Sequence, residues 1–335
     1  MLLQDARMLR LQMEAHNFFI DREGHLRSGW RLAIFIVAFR ICADVSQALA
    51  FAGLRRVLHL SSPQMLRSNW WFVTSSGSLL FSATLAGWAC GALLEGLPFR
   101  ALGSMPHRGW LRNLGIGSIL GAASLFLAAL LAMATRGIKF QLDPAGGRSI
   151  GETLGVSLLI FLLAAAAEEM LFRGYPLQTF TRAKLAWLGV VLTSVYFSLA
   201  HLSNPHIVPA FTFVNTTLAG VWLAIAYLRT RSLWLPFGLH WSWNWAQAAL
   251  LGLPVSGIDR LAPAPLLHAM NTGPDWLTGG TYGIEGGAAC TVALIISTLV
   301  VWRTKLIVRA DVTGPRADRG PYAGSPRGVV DATGL

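Results

Sequence analysis

The stretch LLAAAAEEMLFRG, residues 162–174, ends an uninterrupted apolar run with two adjacent glutamates, and an arginine follows four residues after the second. A charge in lipid hydrocarbon costs about 2.5–3.5 kcal/mol per residue on insertion scales. A helix that only faced lipid would therefore gain nothing from Glu168, Glu169 and Arg173. The run predicts a helix in a membrane, and its charges are candidates for function.

The composition places the whole chain in the class of membrane proteins. Of its 335 residues 54% are hydrophobic and only 13% are charged. Apolar runs of about 18 residues or more predict membrane-spanning helices. Eight such runs occur, at 30–54, 70–94, 114–135, 153–172, 185–203, 208–228, 233–251 and 284–302. We therefore expect an all-α polytopic membrane protein with about eight transmembrane helices.

The distribution of positive charge predicts how the helices are oriented. With eight spans, the two termini and the even-numbered loops share one side and carry 19 Lys and Arg, against 7 on the other side. The positive-inside rule puts the richer side, and so both termini, in the cytoplasm. The net charge of +11 then reflects insertion and anionic lipid, and we expect no nucleic-acid partner. A bacterial plasma membrane is the expected location.

Changes in composition divide the chain into six segments. We expect a cytoplasmic amphipathic segment, three N-terminal spans, a catalytic core, a Pro/Gly/Thr-rich outer loop, a last span and a disordered cytoplasmic tail. The corresponding ranges are 1–28, 29–149, 150–251, 252–283, 284–303 and 304–335. The sequence GSILG, residues 117–121, has the GxxxG spacing that lets helices pack closely, here within the monomer.

The charges within the apolar runs fall into two kinds. Arg40 and Asp44 are four residues apart and predict a self-neutralising pair, and Glu95 lies at a span end where we expect it to be solvated. Glu169 and Arg173 can pair in the same way, which leaves Glu168 without a partner on its own helix. A desolvated, unpaired carboxylate suits a general base. The alternative is a salt-bridged helix end at the cytoplasmic surface.

Two further stretches favour chemistry over a purely structural role. FSLAH ends the fifth run with His201, and HWSWN places His240 and Asn244 four apart in the seventh run, on one helical face. The midpoint in the chain between Glu168 and His201 falls in the polar stretch TRAKL. If the fourth and fifth helices run out to a turn there, the two side chains lie level.

Taken in order, EExxxR (Glu168, Glu169, Arg173), FxxxH (Phe197, His201) and HxxxN (His240, Asn244) resemble the CPBP family. That family of intramembrane proteases includes the type II CAAX prenyl endopeptidases and bacteriocin-processing enzymes. The resemblance covers roughly residues 150–250. It implies an endopeptidase whose substrate is a membrane protein or a lipidated, CAAX-like peptide. Separately, the depth of His240 beyond the Arg229/Arg231 loop, on the side predicted to be cytoplasmic, predicts an active site open to the cytoplasm.

The resemblance also implies roles for the individual residues. Glu168 and His201 would activate a water, and His240 and Asn244 would hold the oxyanion. Glu169, Arg173 and Phe197 would support and orient the motifs, and Arg173 could also meet the C-terminal carboxylate of a substrate.

The cofactor stays open at this point. Glu168, His201 and His240 could supply three Zn²⁺ ligands, and the family is often described as metalloproteases. Against zinc, the HExxH helix is absent and Asn is a poor zinc ligand. A metal-independent glutamate protease is the alternative that we favour.

Two other classes of function compete with proteolysis. A non-proteolytic scaffold or bacteriocin self-immunity protein would not need an unpaired carboxylate in the membrane. A proton-coupled transporter would also use Glu and His within its spans, but such proteins are usually built from two repeated halves, and the sequence has no internal repeat.

Overall fold

The computed structural model describes residues 18–21, 24–66 and 68–310. Most of the predicted N-terminal segment, and residues 311–335 of the predicted disordered tail, lie outside the described residues.

The described chain is mostly helical. Its elements in order are α1 Ser28–Leu58, α2 Ser62–Leu66, α3 Asn69–Glu95, α4 Trp110–Ala134, β1 Ile138–Leu142, α5 Gly147–Phe172, α6 Tyr175–Arg182, α7 Ala186–His201, α8 Pro209–Thr230, α9 Trp234–Trp245, β2 Leu267–Asn271, α10 Asp275–Thr278 and α11 Ala288–Arg303. A π-helical turn, Ala246–Leu250, extends α9. Each of the eight predicted runs coincides with one of the larger helices.

Length and composition support membrane insertion. Within the described residues, five helical segments are long and apolar enough to cross a membrane, namely α1, α3, α4, α5 together with α6, and α8. The helices α7 and α11 are shorter and also apolar. Large apolar side chains point outward along the bundle, as Val37 at 59% exposure and Leu130 at 60% illustrate. This surface suits lipid contact, and the protein is an integral membrane protein.

One end of the bundle, which we call the strand face, gathers β1, β2, the α7–α8 connection and the start of α3. The strands β1 and β2 pair antiparallel, with Ile138 opposite Asn271. The guanidinium of Arg260 lies 5.0 Å from the ring centroid of Phe72 near the start of α3. The amide of Gly257 donates to the carbonyl of Tyr282 at 2.8 Å.

The opposite end, which we call the arginine face, gathers residues 95–109, 178–185, 230–234 and 303–310. The amide of Leu233 donates to the Gly103 carbonyl at 2.9 Å, and the amide of Ala310 donates to the Thr230 carbonyl at 2.7 Å. Arg31, in the first turn of α1, pairs with Glu95 at 2.9 Å. Both ends of the described bundle therefore lie on this face.

Two predictions about these connections need correction. The segment 252–283 was expected to be a loop, but it contains β2 and α10 and folds against the bundle. The five-residue strands are too short to stand out in a sequence dominated by helices. Glu95 was expected to be solvated, but its side chain is only 7% exposed because two arginines from other helices reach it. The predicted pair of Arg40 and Asp44 is confirmed at 2.8 Å.

The GSILG sequence brings α4 into backbone contact with α9, as the GxxxG spacing predicts. A Cβ added to Gly117 would lie 2.5 Å from the Leu235 carbonyl oxygen, and one added to Gly121 would lie 2.2 Å from that of Leu239. Only glycine allows this approach. Because His240 follows Leu239, the contact fixes the depth of that histidine. Leu125, Leu223 and Leu294, each at most 2% exposed, belong to the core around it.

Candidate active site

The end of α5 is shaped so that its last turn carries two carboxylates into the bundle. Glu168 and Glu169 precede a bend at Gly174, where an added Cβ would lie 2.2 Å from the Met170 carbonyl oxygen. Pro176 lies in the first turn of α6, where a missing amide costs no helical hydrogen bond. The chain therefore stops one helix and starts the next within three residues.

Glu169 and Arg173 form the predicted ion pair, and both are buried. Their side chains are 1% and 0% exposed, and Arg173 Nη1 lies 3.1 Å from Glu169 Oε1. Arg173 Nη2 donates to the Gly220 carbonyl at 3.2 Å, and the guanidinium stacks 4.7 Å from the Phe197 ring centroid. The Arg173 side chain is fully buried and does not belong to the cavity lining. This arrangement does not support the expectation that Arg173 meets the C-terminal carboxylate of a substrate.

His240 joins the two glutamates through its two ring nitrogens. Nδ1 lies 2.8 Å from Glu169 Oε1, and Nε2 lies 3.6 Å from Glu168 Oε2. Glu169 Oε1 is thus shared between Arg173 and His240, although the sequence predicted only the first of these contacts. Because the carboxylate can only accept, we assign the Nδ1 proton to the bond with Glu169.

His201 is the last residue of α7, and its ring is fixed by its own helix. Its Nδ1 lies 2.7 Å from the Phe197 carbonyl oxygen, which can only accept, so Nδ1 carries a proton. The Phe197 ring lies 4.6 Å from the His201 ring and 6.0 Å from the His240 ring, centroid to centroid. A turn at 183–185 separates α6 from α7. It lies in the TRAKL stretch, where the sequence predicted the turn between the fourth and fifth apolar helices.

All four predicted catalytic residues line one cavity of about 490 Å³: Glu168, His201, His240 and Asn244. The side chain of Glu168 is 33% exposed there, whereas that of Glu169 is 1% exposed. Among the described residues, the Asn244 side chain has no hydrogen-bond partner, so its amide is available to a ligand. The rest of the wall is largely apolar, with side chains from α3, α5 and α8.

The cavity also contains polar residues that the motifs did not indicate. Glu285, three residues before α11, accepts hydrogen bonds from the Ser256 amide at 2.6 Å and the Ser256 hydroxyl at 3.0 Å. Asn204 and Arg260 complete this part of the wall. Asn204 and Arg260 lie in irregular segments, and Glu285 lies in a single 3₁₀ turn, Ile284–Gly286. None of them belongs to a motif, and only the isolated acid in the glycine-rich GIEGG could have drawn attention.

The metal hypothesis can be compared with the geometry. Within residues 18–21, 24–66 and 68–310, no three His, Cys, Asp or Glu side chains are placed so that they could hold a metal ion together. In this arrangement Glu168, His201 and His240 do not form a ready zinc site.

The cavity extends from Glu168 toward the strand face. Its wall there contains the start of α3, Asn204, the segment from Val255 to Leu261, and Glu285. The ends of the described bundle lie on the opposite, arginine face.

A helical bundle with an apolar outer surface and a buried cluster of carboxylates and imidazoles defines a multi-pass membrane protein with a polar site inside the bundle. The family described as "Type II CAAX prenyl endopeptidase Rce1-like" matches residues 150–246, which carry all three motifs. An uncharacterized 24.3 kDa protein of Escherichia coli is 32% identical over 161 residues, which are 46% of this chain and 70% of the relative. No solved structure matches the chain significantly. The chain belongs to the Rce1-like family, a family of CAAX-type intramembrane proteases.

Proposed function

We propose that the protein is an intramembrane endopeptidase that hydrolyses a peptide bond in a membrane-anchored or lipidated, CAAX-like substrate. One observation carries the proposal. The Glu168 carboxylate faces His240 Nε2 at 3.6 Å inside a cavity that His201 and Asn244 also line. A carboxylate, two imidazoles and an amide around a partly apolar cavity are the groups that peptide hydrolysis needs.

In this proposal Glu168 is the general base. Its carboxylate takes a proton from a water in the cavity, and the water oxygen attacks the carbonyl carbon of the scissile bond. His201 assists because its Nδ1 proton is committed to the Phe197 carbonyl, which leaves the Nε2 lone pair to accept a hydrogen bond from that water. Glu168 then passes the proton to the leaving nitrogen as the C–N bond breaks.

His240 and Asn244 stabilise the oxyanion in the same scheme. The Asn244 amide is a donor as it stands. His240 can donate from Nε2 only when both ring nitrogens carry a proton, because Nδ1 already donates to Glu169. Glu169, Arg173 and Phe197 act as positioning residues that hold the imidazole of His240 in place.

Removing metal from the enzyme distinguishes a metal-independent glutamate protease from a zinc protease. A glutamate protease keeps its activity when chelator-treated protein contains far less than one zinc per chain, and this is the outcome that we expect. Metal content is measured on the same sample by atomic emission. Loss of activity on chelation, with recovery on adding Zn²⁺, would assign Glu168, His201 and His240 to a metal site instead.

The proposal includes a membrane topology. We propose that the eight larger helices each cross a bacterial plasma membrane, with residues 150–251 as the catalytic core and both termini in the cytoplasm. The excess of Lys and Arg on the side of the termini supports this orientation. The strand face, and the part of the cavity lined by Asn204 and Glu285, would then face away from the cytoplasm, in contrast to the cytoplasmic opening that the depth of His240 predicts.

Substitution of Glu168 by Gln tests the proposed function directly. It keeps the shape of the side chain and removes the base, and loss of a general base typically lowers the rate by about 10²–10⁴-fold. C-terminal peptides of the membrane proteome are compared between cells with the wild-type protein and cells with Glu168→Gln. We expect cleaved ends that depend on the wild-type protein to disappear.

A matched control is available on the same helix. Glu152 is 66% exposed and pairs with the exposed Arg148, outside the cavity lining, so Glu152→Gln should leave the cleaved ends unchanged. If Glu168→Gln preserved every wild-type C-terminus while cells retained the protein's phenotype, the scaffold or immunity role would replace proteolysis. Substrate flux in proteoliposomes that is lost with Glu168→Gln would favour the transporter instead.

A further inference from the structure

A second cavity, of about 810 Å³, lies on the arginine face, separate from the candidate active site. Its walls come from the α3–α4 connection, the end of α6, the end of α8 and the residues after α11. Four arginines line it: Arg100, Arg182, Arg231 and Arg309. No Asp or Glu belongs to the described lining of this arginine cavity.

The positive charge of the arginine cavity is only partly neutralised. Arg182 donates to Glu95 through Nε and Nη2, both at 2.8 Å. Glu95 also pairs with Arg31, so one carboxylate is shared between two guanidinium groups. In the described part of the chain the other three arginines of the lining pair with no carboxylate. A concave site therefore keeps an excess of donors and of positive charge.

Aromatic residues place the arginine cavity at the membrane surface. The rings of Trp110 and Trp234, at the starts of α4 and α9, lie 4.5 Å apart, and those of Trp88 and Phe99 lie 6.5 Å apart. Trp is enriched where the apolar core of a bilayer meets the lipid headgroups. The arginines thus lie at the depth at which lipid phosphates are found.

From this charge, shape and depth we propose that the arginine cavity binds a phosphate group, carried by an anionic lipid headgroup or by a free phosphate. The guanidinium fork matches phosphate oxygens with two parallel hydrogen bonds, which a point charge cannot do. Arg182 is already fixed by Glu95, so part of the site is preorganised. The proposal uses none of the residues assigned to peptide hydrolysis and stands independently of that function.

Ligand binding to the purified full-length protein in detergent tests the proposal. Short-chain phosphatidylglycerol, short-chain phosphatidylcholine and inorganic phosphate are titrated separately, with tryptophan fluorescence and the melting temperature as readouts. We expect saturable binding of phosphatidylglycerol, inorganic phosphate or both, and weaker binding of phosphatidylcholine, whose cationic choline is repelled. Binding of phosphatidylglycerol alone identifies a lipid site, and binding of inorganic phosphate alone identifies a site for a soluble phosphate.

Charge-neutral variants locate the site. Arg100→Gln combined with Arg231→Gln should weaken binding by roughly tenfold per arginine, because hydrogen bonds to charged groups contribute about that factor. Arg108→Gln is the control, since Arg108 is exposed on the same face and lies outside the lining. The melting temperature without ligand shows that each variant folds. Equal affinity of wild type and double variant, equal binding of phosphatidylcholine, or no binding of any probe would overturn the proposal.

Discussion

Glu168 and Glu169 are adjacent in the chain but lie in different surroundings. Successive residues of an α-helix point about 100° apart, so one side chain can face the cavity while the other faces the protein interior. Glu169 is 1% exposed and bonded to Arg173 and His240, and Glu168 is 33% exposed. The i, i+4 spacing within the helix predicted that Glu169 pairs with Arg173 and that Glu168 has no partner on its own helix. The bond from His240 joins residues 71 apart in the chain, and no local pattern could reveal it.

At the residue scale, Asn244 provides a test of the oxyanion assignment. In Asn244→Ala we expect the turnover number to fall by about 10²–10³-fold, because one oxyanion donor contributes about 2.7–4 kcal/mol. The Michaelis constant should change little, since the donor acts mainly in the transition state. Steady-state kinetics on a membrane-inserted substrate measures both quantities.

The control for this prediction is Asn271→Ala, at the exposed last position of strand β2 and outside the cavity lining. It should retain wild-type kinetics. An Asn244→Ala enzyme with an unchanged turnover number would remove Asn244 from the oxyanion hole and leave His240 as the remaining candidate donor.

At the element scale, the site depends on two helix contacts that bring distant segments together. The bend between α5 and α6 directly follows the turn that carries Glu168, and the glycine contact of α4 with α9 lies beside His240. The GxxxG pattern indicated close packing, but it could not say which helix would be the partner. Which helices pack together depends on how well their complete side-chain surfaces fit, and the sequence of one helix alone does not determine this fit.

The glycine contact predicts that Gly121→Val destabilises the protein and lowers its activity together. An added Cβ would overlap the Leu239 carbonyl, so α4 must move away from α9. Overpacking of this kind costs about 1–3 kcal/mol and here also displaces the turn that carries His240. Thermal unfolding in detergent and substrate turnover measure the two effects.

Gly115→Ala is the matched control, because it lies on the same helix with no atom within 4 Å of its added Cβ. It should leave stability and turnover close to those of the wild type. If Gly121→Val behaved like Gly115→Ala, the α4–α9 contact would not position the site.

At the scale of the whole molecule, the two faces of the bundle carry different sites. The candidate active-site cavity is lined in part by residues of the strand face, such as Asn204 and Arg260, and the arginine cavity lies on the opposite face with both ends of the described bundle. The apolar runs of the sequence predicted where the larger helices lie, and all eight runs coincide with one. They did not indicate which face would contribute residues to the wall of the catalytic cavity.

Labelling of single cysteines tests the orientation. In a chain with Cys42, Cys90 and Cys290 replaced by Ser, Arg260→Cys reports on the strand face and Arg309→Cys on the arginine face. The charge distribution predicts that a membrane-impermeant maleimide labels Arg260→Cys in intact cells and labels Arg309→Cys only after permeabilisation. The reverse pattern would place the termini outside and the strand face in the cytoplasm, and the orientation predicted from the charge distribution would be wrong.

The sequence by itself determined the membrane class, the helices and the identity of the motif residues. Hydrophobic run length, the cost of buried charge and the i, i+4 spacing are local properties that a chain carries before it folds. The tertiary structure alone decided that Glu169 holds His240, that Arg173 lies outside the cavity lining, and that Glu285 and Arg260 belong to it. Each of these depends on contacts between segments far apart in the chain, and such contacts arise only when complete helix surfaces pack.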